Sequence, residues 1–563
     1  MSAGLLAAPT FVIVSVVVGV PLLFAIYLSL RQATPQLVGP FVGLDNYRNL
    51  FGDPTFREGV TTTVLFTLAS ASLSVLLGVA IASLLATPFR GRSIAIAVLV
   101  LPWLLPVVVT STMFRTMLEI DVGIIDYYLR QLGVVELPIL SNRGSLLMAV
   151  IAVDVWRTTP FVVLLMMAAI RRLPRSLFDA ASVDGASATR RYIHVSLPLL
   201  RPTIIVVLLF RFLDAARVFD LFWVLTNQQL DSVSTFIYTA VARSQLFFSR
   251  GNAGAVLFFL ATSMFALAVV KVGGLGEEGV LRFADTDDVA PPRRPSVLRG
   301  IVLLLLLAVA LAPLAAIVRA SLLTPRELAQ IPPVLLPPAP SVETFRVILG
   351  DQGLRMGIGN SMIVAGITTS LCVMSGFLAA YAMTRLRTRM ISWVLPALLA
   401  VAFLPQVIVL APLFIAFRTT GLLDSYWALI IPNTAFILPL TTWILVGFLR
   451  ELPQDVEDAA RIDGASTLQV ITRVVAPIVA PGAAVAAALS FVFVYNEFLF
   501  ANIFIFESAL RPVTVVLADA ISQTLVQGFG FVSAAALVVL AVLALVVLPL
   551  LALITVRGRD GRA

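Results

Sequence analysis

A small set of ionisable residues lies inside otherwise apolar runs of this 563-residue chain. Asp154 and Arg157 stand about one helical turn apart. Arg211, Asp214 and Arg217 follow i, i+3, i+6 spacing, roughly one helix face, with Asp220 just beyond. Glu497 sits beside Asn496. Charges within apolar spans are expensive and mark functional positions. Carboxylates and guanidinium groups offer forks for hydroxyls, and Trp156, Phe161 and Trp223 offer aromatic faces; an uncharged sugar needs both. Clustered arginine also suits a carboxylate or phosphate, which it grips bidentately. The group therefore reads as the lining of a polar cavity. The alternative is a set of internal salt bridges, Asp154 with Arg157 and Arg211 with Asp214, that hold helices together. Other chemistries fail by inventory. His194 is the sole histidine and Cys372 the sole cysteine, so a histidine metal cluster, a His-based triad and an intrachain disulfide are excluded. No Gly-x-x-x-x-Gly-Lys-[Ser/Thr] loop is present. The chain is thus expected to be no enzyme, to hold no metal, and to bind no cofactor itself.

The elements that position these residues follow from composition. The chain is 60% hydrophobic and 12% charged, with mean hydropathy +1.01. An average soluble domain is roughly 45–50% apolar and about 25% charged. Too little polar surface exists to cover such a chain in water. A soluble enzyme, a disordered chain and a disulfide-stapled scaffold are excluded. The net charge of +8 does not cluster as a nucleic-acid face requires. The fold expected is an all-α polytopic membrane protein. The first apolar stretch runs on to Leu30 with no small-residue cleavage site.

Apolar runs bounded by charges give twelve spans. The first half has Leu5–Leu30, Thr62–Ala86, Ile94–Met113, Leu146–Ile170, Ile204–Leu225 and Ala253–Val272. The second has Ile301–Val318, Met362–Met383, Trp393–Phe417, Ala428–Phe448, Gly482–Phe504 and Val532–Val556. The expected organisation is one six-span half over 1–272, a polar linker over 273–300 and a second half over 301–563. An even span count puts both termini and the linker on one side. The loops on that side hold more arginine than the opposite ones, which makes it cytoplasmic.

The two halves contain the same segment. The first copy is Leu173-Pro-Arg-Ser-Leu-Phe-Asp179-Ala-Ala-Ser-Val-Asp184-Gly185-Ala-Ser187, continuing to Pro198 and Pro202. The second is Leu452-Pro-Gln-Asp-Val-Glu-Asp458-Ala-Ala-Arg-Ile-Asp463-Gly464-Ala-Ser466, continuing to Pro477 and Pro481. The offset is 279 residues without a gap. Each copy falls between the fourth and fifth spans of its half, so the repeat is parallel. Pro174 and Pro453 suit the first turn of a helix. Asp-Ala-Ala then makes a slim helix that another protein can approach closely, and Gly185 and Gly464 supply the turn that ends it. Ser187 and Ser466 read as N-caps of a second short helix. Ser466 with Gln469 makes a capping box that Arg190 spoils in the first copy. Pro198 and Pro477 are expected to end that helix before the next span.

These segments resemble the EAA motif (Glu-Ala-Ala, three residues, Gly, nine residues, Ile-x-Leu-Pro) of ABC importer membrane subunits. Asp179 and Asp458 replace the Glu and keep the carboxylate. Ala180, Ala181, Gly185 and Leu197-Pro198 match in one copy, with Val195 for the Ile, and Ala459, Ala460 and Gly464 in the other, where Val474 and Ala476-Pro477 match in part; Asp184 and Asp463 precede the two glycines. The resemblance implies coupling helices that dock onto cytoplasmic ATPase subunits. Phe41-Val-Gly-Leu-Asp-Asn-Tyr47, Gly123-Ile-Ile-Asp-Tyr-Tyr-Leu129 and Val218-Phe-Asp-Leu-Phe-Trp-Val-Leu-Thr226 resemble the first membrane subunit of the carbohydrate, maltose-type branch of type I importers. Gly421-Leu-Leu-Asp-Ser-Tyr-Trp427 and Tyr495-Asn-Glu-Phe-Leu499 resemble its second. The chain thus looks like two permease subunits fused in one polypeptide. Family position puts sugar contacts at Asp154, Arg157, Thr158 and Phe161, and near Arg211, Asp214, Ala215 and Val218. Asn433 occupies the repeat position of Asp154, and Tyr495, Asn496 and Glu497 are expected to line the path or close it.

The implied partners are two ATP-binding cassette subunits, which use ATP and Mg, an extracytoplasmic solute-binding protein, a carbohydrate and membrane lipid, with no nucleic acid. The location implied is a bacterial or archaeal inner membrane. The rival solute is acidic or phosphorylated, such as glycerol phosphate. Rival classes are a twelve-span secondary carrier, with Asp154 or Asp214 cast for proton coupling, and a membrane enzyme using Asp154 or Glu497.

Overall fold

The protein is described here from a computed structural model covering residues 3–86, 89, 91–120, 123–134, 138–171, 173–243, 248–272, 297–386, 398, 401, 404–523 and 527–560. Ten helices are long and apolar enough to cross a membrane. A hydrocarbon core leaves no water to satisfy backbone groups, so long Leu-, Val- and Ala-rich runs close their hydrogen bonds internally as helices. The first half gives Leu6–Ser29, Pro54–Ala86, Arg143–Arg171, Thr189–Ala216 and Phe248–Val269. The second gives Gly300–Leu322, Gln352–Arg385, Trp427–Glu451, Thr467–Tyr495 and Phe529–Leu550. We number the spans one to twelve as in the sequence. The fold is all-α and built as a parallel repeat, save for a two-stranded antiparallel ribbon pairing Arg31–Ala33 with Val38–Phe41.

The third span departs from a straight crossing. It is a bent pair, Arg92–Leu104 and Val107–Leu118, meeting at 91°. Pro106 causes the break: it forces Leu105 out of the helical region (ψ 136°) and caps the second piece. The ninth expected span, Trp393–Phe417, lies partly outside the described residues; within them Leu410–Thr420 is helical. The linker is likewise outside them over 273–296.

The fifth and eleventh spans were expected to run to Leu225 and Phe504, but each breaks earlier. Leu197–Ala216 stops and a short helix, Asp220–Leu225, follows at a new angle. Ala476–Tyr495 stops and Leu499–Phe504 follows. No proline or glycine stands at either break. Instead a hydroxyl from a short apolar helix further along takes a carbonyl there. Ser234 Oγ donates to Arg217 O (3.4 Å) in one half, and Thr514 Oγ1 donates to Glu497 O (2.7 Å) in the other. The first residue of each donor helix is itself tied to a span, Val233 N to Thr63 Oγ1 and Val513 N to Ser361 Oγ.

Within each half the second and fourth spans pack closely at a glycine. A Cβ on Gly78 would lie 2.4 Å from Val162, and one on Gly376 would lie 3.1 Å from Thr442. Gly78→Leu should therefore cost about 1–3 kcal/mol by overpacking. Gly366→Leu, where a Cβ meets nothing within 4 Å, should be near neutral. Thermal melts of the purified protein would check this; equal midpoints for the two variants would refute it.

The halves interlock through their leading helices. Leu6 and Ala7 of the first span are buried with Ala380, Tyr381 and Ala382 of the eighth, and Thr10 Oγ1 donates to Ser375 O (3.0 Å). The seventh span crosses the other way, and Trp156 Nε1 donates to Val309 O (3.1 Å).

Candidate functional site

The charged residues of the first half converge on one guanidinium. Arg211 is fully buried between the second, fourth and fifth spans. Its Nη2 donates to Asp154 Oδ2 (2.7 Å) and Ser70 Oγ (3.2 Å), its Nε to Ser74 Oγ (3.1 Å), and its Nη1 to Asp214 Oδ2 (2.6 Å). Ser70 Oγ donates in turn to Asp154 Oδ2. Arg157 Nη2 lies 3.6 Å from Asp154 Oδ1, and Arg217 Nη2 lies 3.7 Å from Asp214 Oδ1. The expected spacing thus does bring Asp154, Arg157, Arg211, Asp214 and Arg217 together. Burial sorts them. Asp154 and Arg211 are sealed within the protein, whereas the side chains of Asp214 and Arg217 keep about a third of their surface (31% and 32%).

The expectation of an open lining changes for three residues. Arg211 is spent on Asp154, Asp214 and two serines, and Asp154 Oδ2 on Arg211 and Ser70, while Asp154 Oδ1 faces Arg157 only at 3.6 Å. Thr158 is buried and returns its hydroxyl to Asp154 O of its own helix (2.7 Å). The aromatic residues expected to face a sugar are engaged elsewhere. Trp156 meets Phe114 edge-on besides its bond to the seventh span. Phe161 stacks between Trp103 and Phe210. Trp223 carries Arg243 over its ring at 4.7 Å.

The second half holds neutral residues at the matching positions. Asn433 is buried where the first half has Asp154, and donates to Leu429 O (2.9 Å). Ser490 stands where the first half has Arg211, and shares a 2.7 Å hydroxyl bond with Thr441. Glu497 turns back on its own chain at the eleventh-span break. Its Oε1 accepts from Phe500 N (2.6 Å) and its Oε2 from Ala501 N (3.2 Å), which caps the Leu499–Phe504 helix. Its carboxylate also meets the Asn433 side chain. Asn496 is half-buried, and its Oδ1 has no hydrogen-bond partner among the described residues. Just past the two breaks, Phe219 and Phe498, at the same 279-residue offset, stack across the halves with centroids 6.0 Å apart. Tyr238 Oη donates to Asn502 O beside them (3.1 Å). This seam closes the two halves against each other.

The repeated surface segments fold as helix–turn–helix pairs. Arg175–Val183 and Gln454–Ile462 are the first helices, each preceded by proline at the N-cap rather than in the first turn. Asp184 and Asp463 end them, and Gly185 (φ +73°) and Gly464 (φ +86°) take the left-handed turn. Ala186 N reaches Ala181 O and Ala465 N reaches Ala460 O, both at 2.9–3.0 Å, closing a Schellman-type end. The Ser466–Gln469 capping box is present, while Ser187 makes only a single weak bond to Arg190 N (3.3 Å). Asp179, Ala180, Asp458 and Ala459 are exposed, and Ala181 and Ala460 half-buried.

Pro198 and Pro477 do not end the second helix. It runs through a π-helical turn, Tyr192–Ser196 or Val470–Val475, straight into the next span. A proline inside a helix clashes with the carbonyl four residues back. Here that residue, His194 or Arg473, falls in the widened turn.

Sequence reasoning missed three sets of residues. Ser70 and Ser74 read as small residues in an apolar run. Phe219 and Phe498 needed the repeat alignment to stand out. Val183 and Ile462, also 279 residues apart, are the last residues of the two surface helices, and they are 87% and 86% exposed. Their matched apolar character was the available signal.

Two repeated halves of apolar spanning helices, each with a capped surface helix at the same place in the repeat, define a multi-pass membrane transport component. The chain belongs to the family of binding-protein-dependent transport system inner membrane components, which matches it twice, over residues 74–275 and 372–557. It is 33% identical over 272 residues to the trehalose/maltose transport system permease protein MalF of Thermococcus litoralis, covering 48% of this chain and 92% of that protein. It is 33% identical over 282 residues to the trehalose transport system permease protein SugA of Mycobacterium tuberculosis, covering 49% and 90%. It is 38% identical over 218 residues to the sulfoquinovosyl glycerol transport system permease protein SmoH of Agrobacterium fabrum, covering 39% and 76%. Each relative spans at most about half of this chain. Two family units are therefore fused in one polypeptide of the sugar ABC permease class.

Proposed function

We propose that the chain supplies both permease halves of an ATP-driven importer, and that it carries a carbohydrate, a sugar or oligosaccharide, across the inner membrane. The observation that supports this most is the pair of capped surface helices at one offset, each ending in an exposed aliphatic residue. Two such helices fit two ATP-binding cassette subunits, which would use ATP and Mg on the cytoplasmic side. An extracytoplasmic binding protein would deliver the solute to the opposite face. ATP-driven closure of the two ATPases would then shift both helices and open the Phe219–Phe498 seam, a coupling between distant sites. Arg157, Asp214, Arg217, Asn496 and Glu497 keep part of their surface and would meet the solute on its way. The relatives that handle trehalose or maltose make a disaccharide the first substrate to try.

The test is uptake of labelled trehalose into vesicles holding the chain, its ATPase and its binding protein. Gly185→Pro combined with Gly464→Pro cannot keep the left-handed turns, since proline fixes φ near about −65°. That variant should lose uptake by at least about tenfold while its span helices stay folded. Unchanged uptake would refute coupling through these helices. A secondary carrier would transport without any ATPase.

An acidic or phosphorylated sugar is the second reading. It is favoured by Arg157, whose carboxylate partner Asp154 sits at 3.6 Å rather than at hydrogen-bond distance. Competition by glycerol phosphate against trehalose uptake separates the two.

A further inference from the structure

The two surface helices differ in how they are fastened to the bundle. In the second half Glu457 points inward from the Gln454–Ile462 helix and is 1% exposed. Its Oε1 accepts from Arg385 Nε (2.5 Å), and its Oε2 accepts from Tyr381 Oη (2.9 Å). Arg461, one turn on, comes within 3.5 Å of the same carboxylate and binds Asp458 at 2.7 Å. Arg385 Nη2 also donates to Leu452 O (2.8 Å), just before the helix begins. Tyr381 and Arg385 belong to the last turns of the eighth span. The helix is thus pinned through its lead-in and its first turns to one long span.

The first half is built differently. At the 279-residue offset, Glu457 corresponds to Phe178, half-buried and without a charge. The matched pairs Thr63 with Ser361 and Gly78 with Gly376 set the register of the second and eighth spans. In that register Tyr381 corresponds to Ser83. Ser83 Oγ lies 3.2 Å from Tyr192 Oη. Tyr192 belongs to the π-helical turn beyond the Arg175–Val183 helix, so this tie holds the following span rather than the surface helix. A buried carboxylate held by charge-assisted bonds resists opening strongly, because release strands an uncompensated charge. A hydroxyl pair near the surface does not.

We infer that Glu457, Arg385 and Tyr381 are positioning residues that make the second surface helix a rigid extension of the eighth span. Among the described residues no buried ion pair fastens the first surface helix to a span, and the exposed bond from Arg191 Nη1 to Ser182 Oγ ties it only to the helix that follows, so the first helix is held more compliantly and the two docking sites are mechanically unequal. This rests on the reading of those helices as ATPase docking sites, and it adds a direction. A push on the second helix moves its span at once, whereas the same push on the first is partly absorbed by local bending.

Amide hydrogen exchange on the full chain in lipid nanodiscs, without any ATPase, tests it. Amides of 456–463 should exchange about tenfold slower than those of 177–184, as expected when opening requires breaking a buried charged bond. Glu457→Gln and Arg385→Gln should remove most of that difference and leave 177–184 unchanged. Arg385→Lys, which keeps the charge, should restore at least half of it. Protection of the Pro54–Ala86 span reports that each variant is folded. Equal exchange of the two segments in the unaltered chain overturns the proposal, with no variant needed. An unchanged difference in Glu457→Gln also overturns it. Failure of the transport reading looks different: no ATPase would bind, while the exchange difference would remain.

Discussion

Arg211→Leu should destabilise the protein by about 3–5 kcal/mol, the cost of leaving a buried charge without its partner. The arginine is fully enclosed and holds Asp154, Asp214, Ser70 and Ser74 at once. Its loss leaves the Asp154 carboxylate in a dry interior between three spans, with Arg157 at 3.6 Å as its remaining cation. Thermal melts in detergent, or the yield of folded protein, would register the change. The repeat supplies its own rescue. Asp154→Asn combined with Arg211→Ser installs the residues that the second half carries at those positions, Asn433 and Ser490. With neither charge present the penalty disappears, and the double variant should recover most of the lost stability. A double variant as unstable as Arg211→Leu would show that packing volume, not the stranded carboxylate, sets the cost.

On the proposal that the surface helices dock an ATPase, Val183→Asp with Ile462→Asp should strongly weaken its capture while leaving the melt of the chain alone unchanged. Both residues are almost wholly exposed, so the substitution removes nothing from the fold. Burying one aliphatic side chain of this size is worth about 1.5–3 kcal/mol. Each substitution removes that gain and adds a carboxylate to be desolvated. Together they should weaken association by at least about a hundredfold, read by pull-down or by interferometry on nanodiscs. Either single variant should weaken it less. Full-strength capture by the double variant would mean that the surface helices are not where the ATPase sits.

Much of the architecture was legible because lipid leaves the chain few choices. Uninterrupted apolar runs had to be helices, and the ten long ones overlap the runs hydropathy marked, with the fifth and eleventh starting earlier and ending sooner. The surface segments were legible in detail because capping is local chemistry. Gly185, Gly464, Ser466 and Gln469 act on neighbours within five residues, and their roles follow from type and spacing. The breaks at Arg217–Phe219 and Asn496–Phe498 were not legible. They are kept by hydroxyls from Ser234 and Thr514, which the chain brings back only after a further helix. The behaviour of Pro198 and Pro477 was misread for a related reason: a π-helical turn lets a proline sit in a continuous helix, and no residue type announces one. The charged cluster was half legible. Spacing gathered the ions on the right faces, but the choice of Arg211 as the hub depended on Ser70 and Ser74, from a span with no charge of its own near them.

The crossing of the first span into the other half has a consequence for biosynthesis. Thr10 finds its hydrogen-bond partner 365 residues later in the chain. A ribosome feeding this protein into the membrane must therefore release its leading helix into lipid long before the surface that will receive it exists. That helix enters the membrane well before its partner and is seated only after it. Encoding both halves in one message ensures that the awaited surface arrives nearby and in equal number. Two separately made subunits would have to find each other with that face still bare.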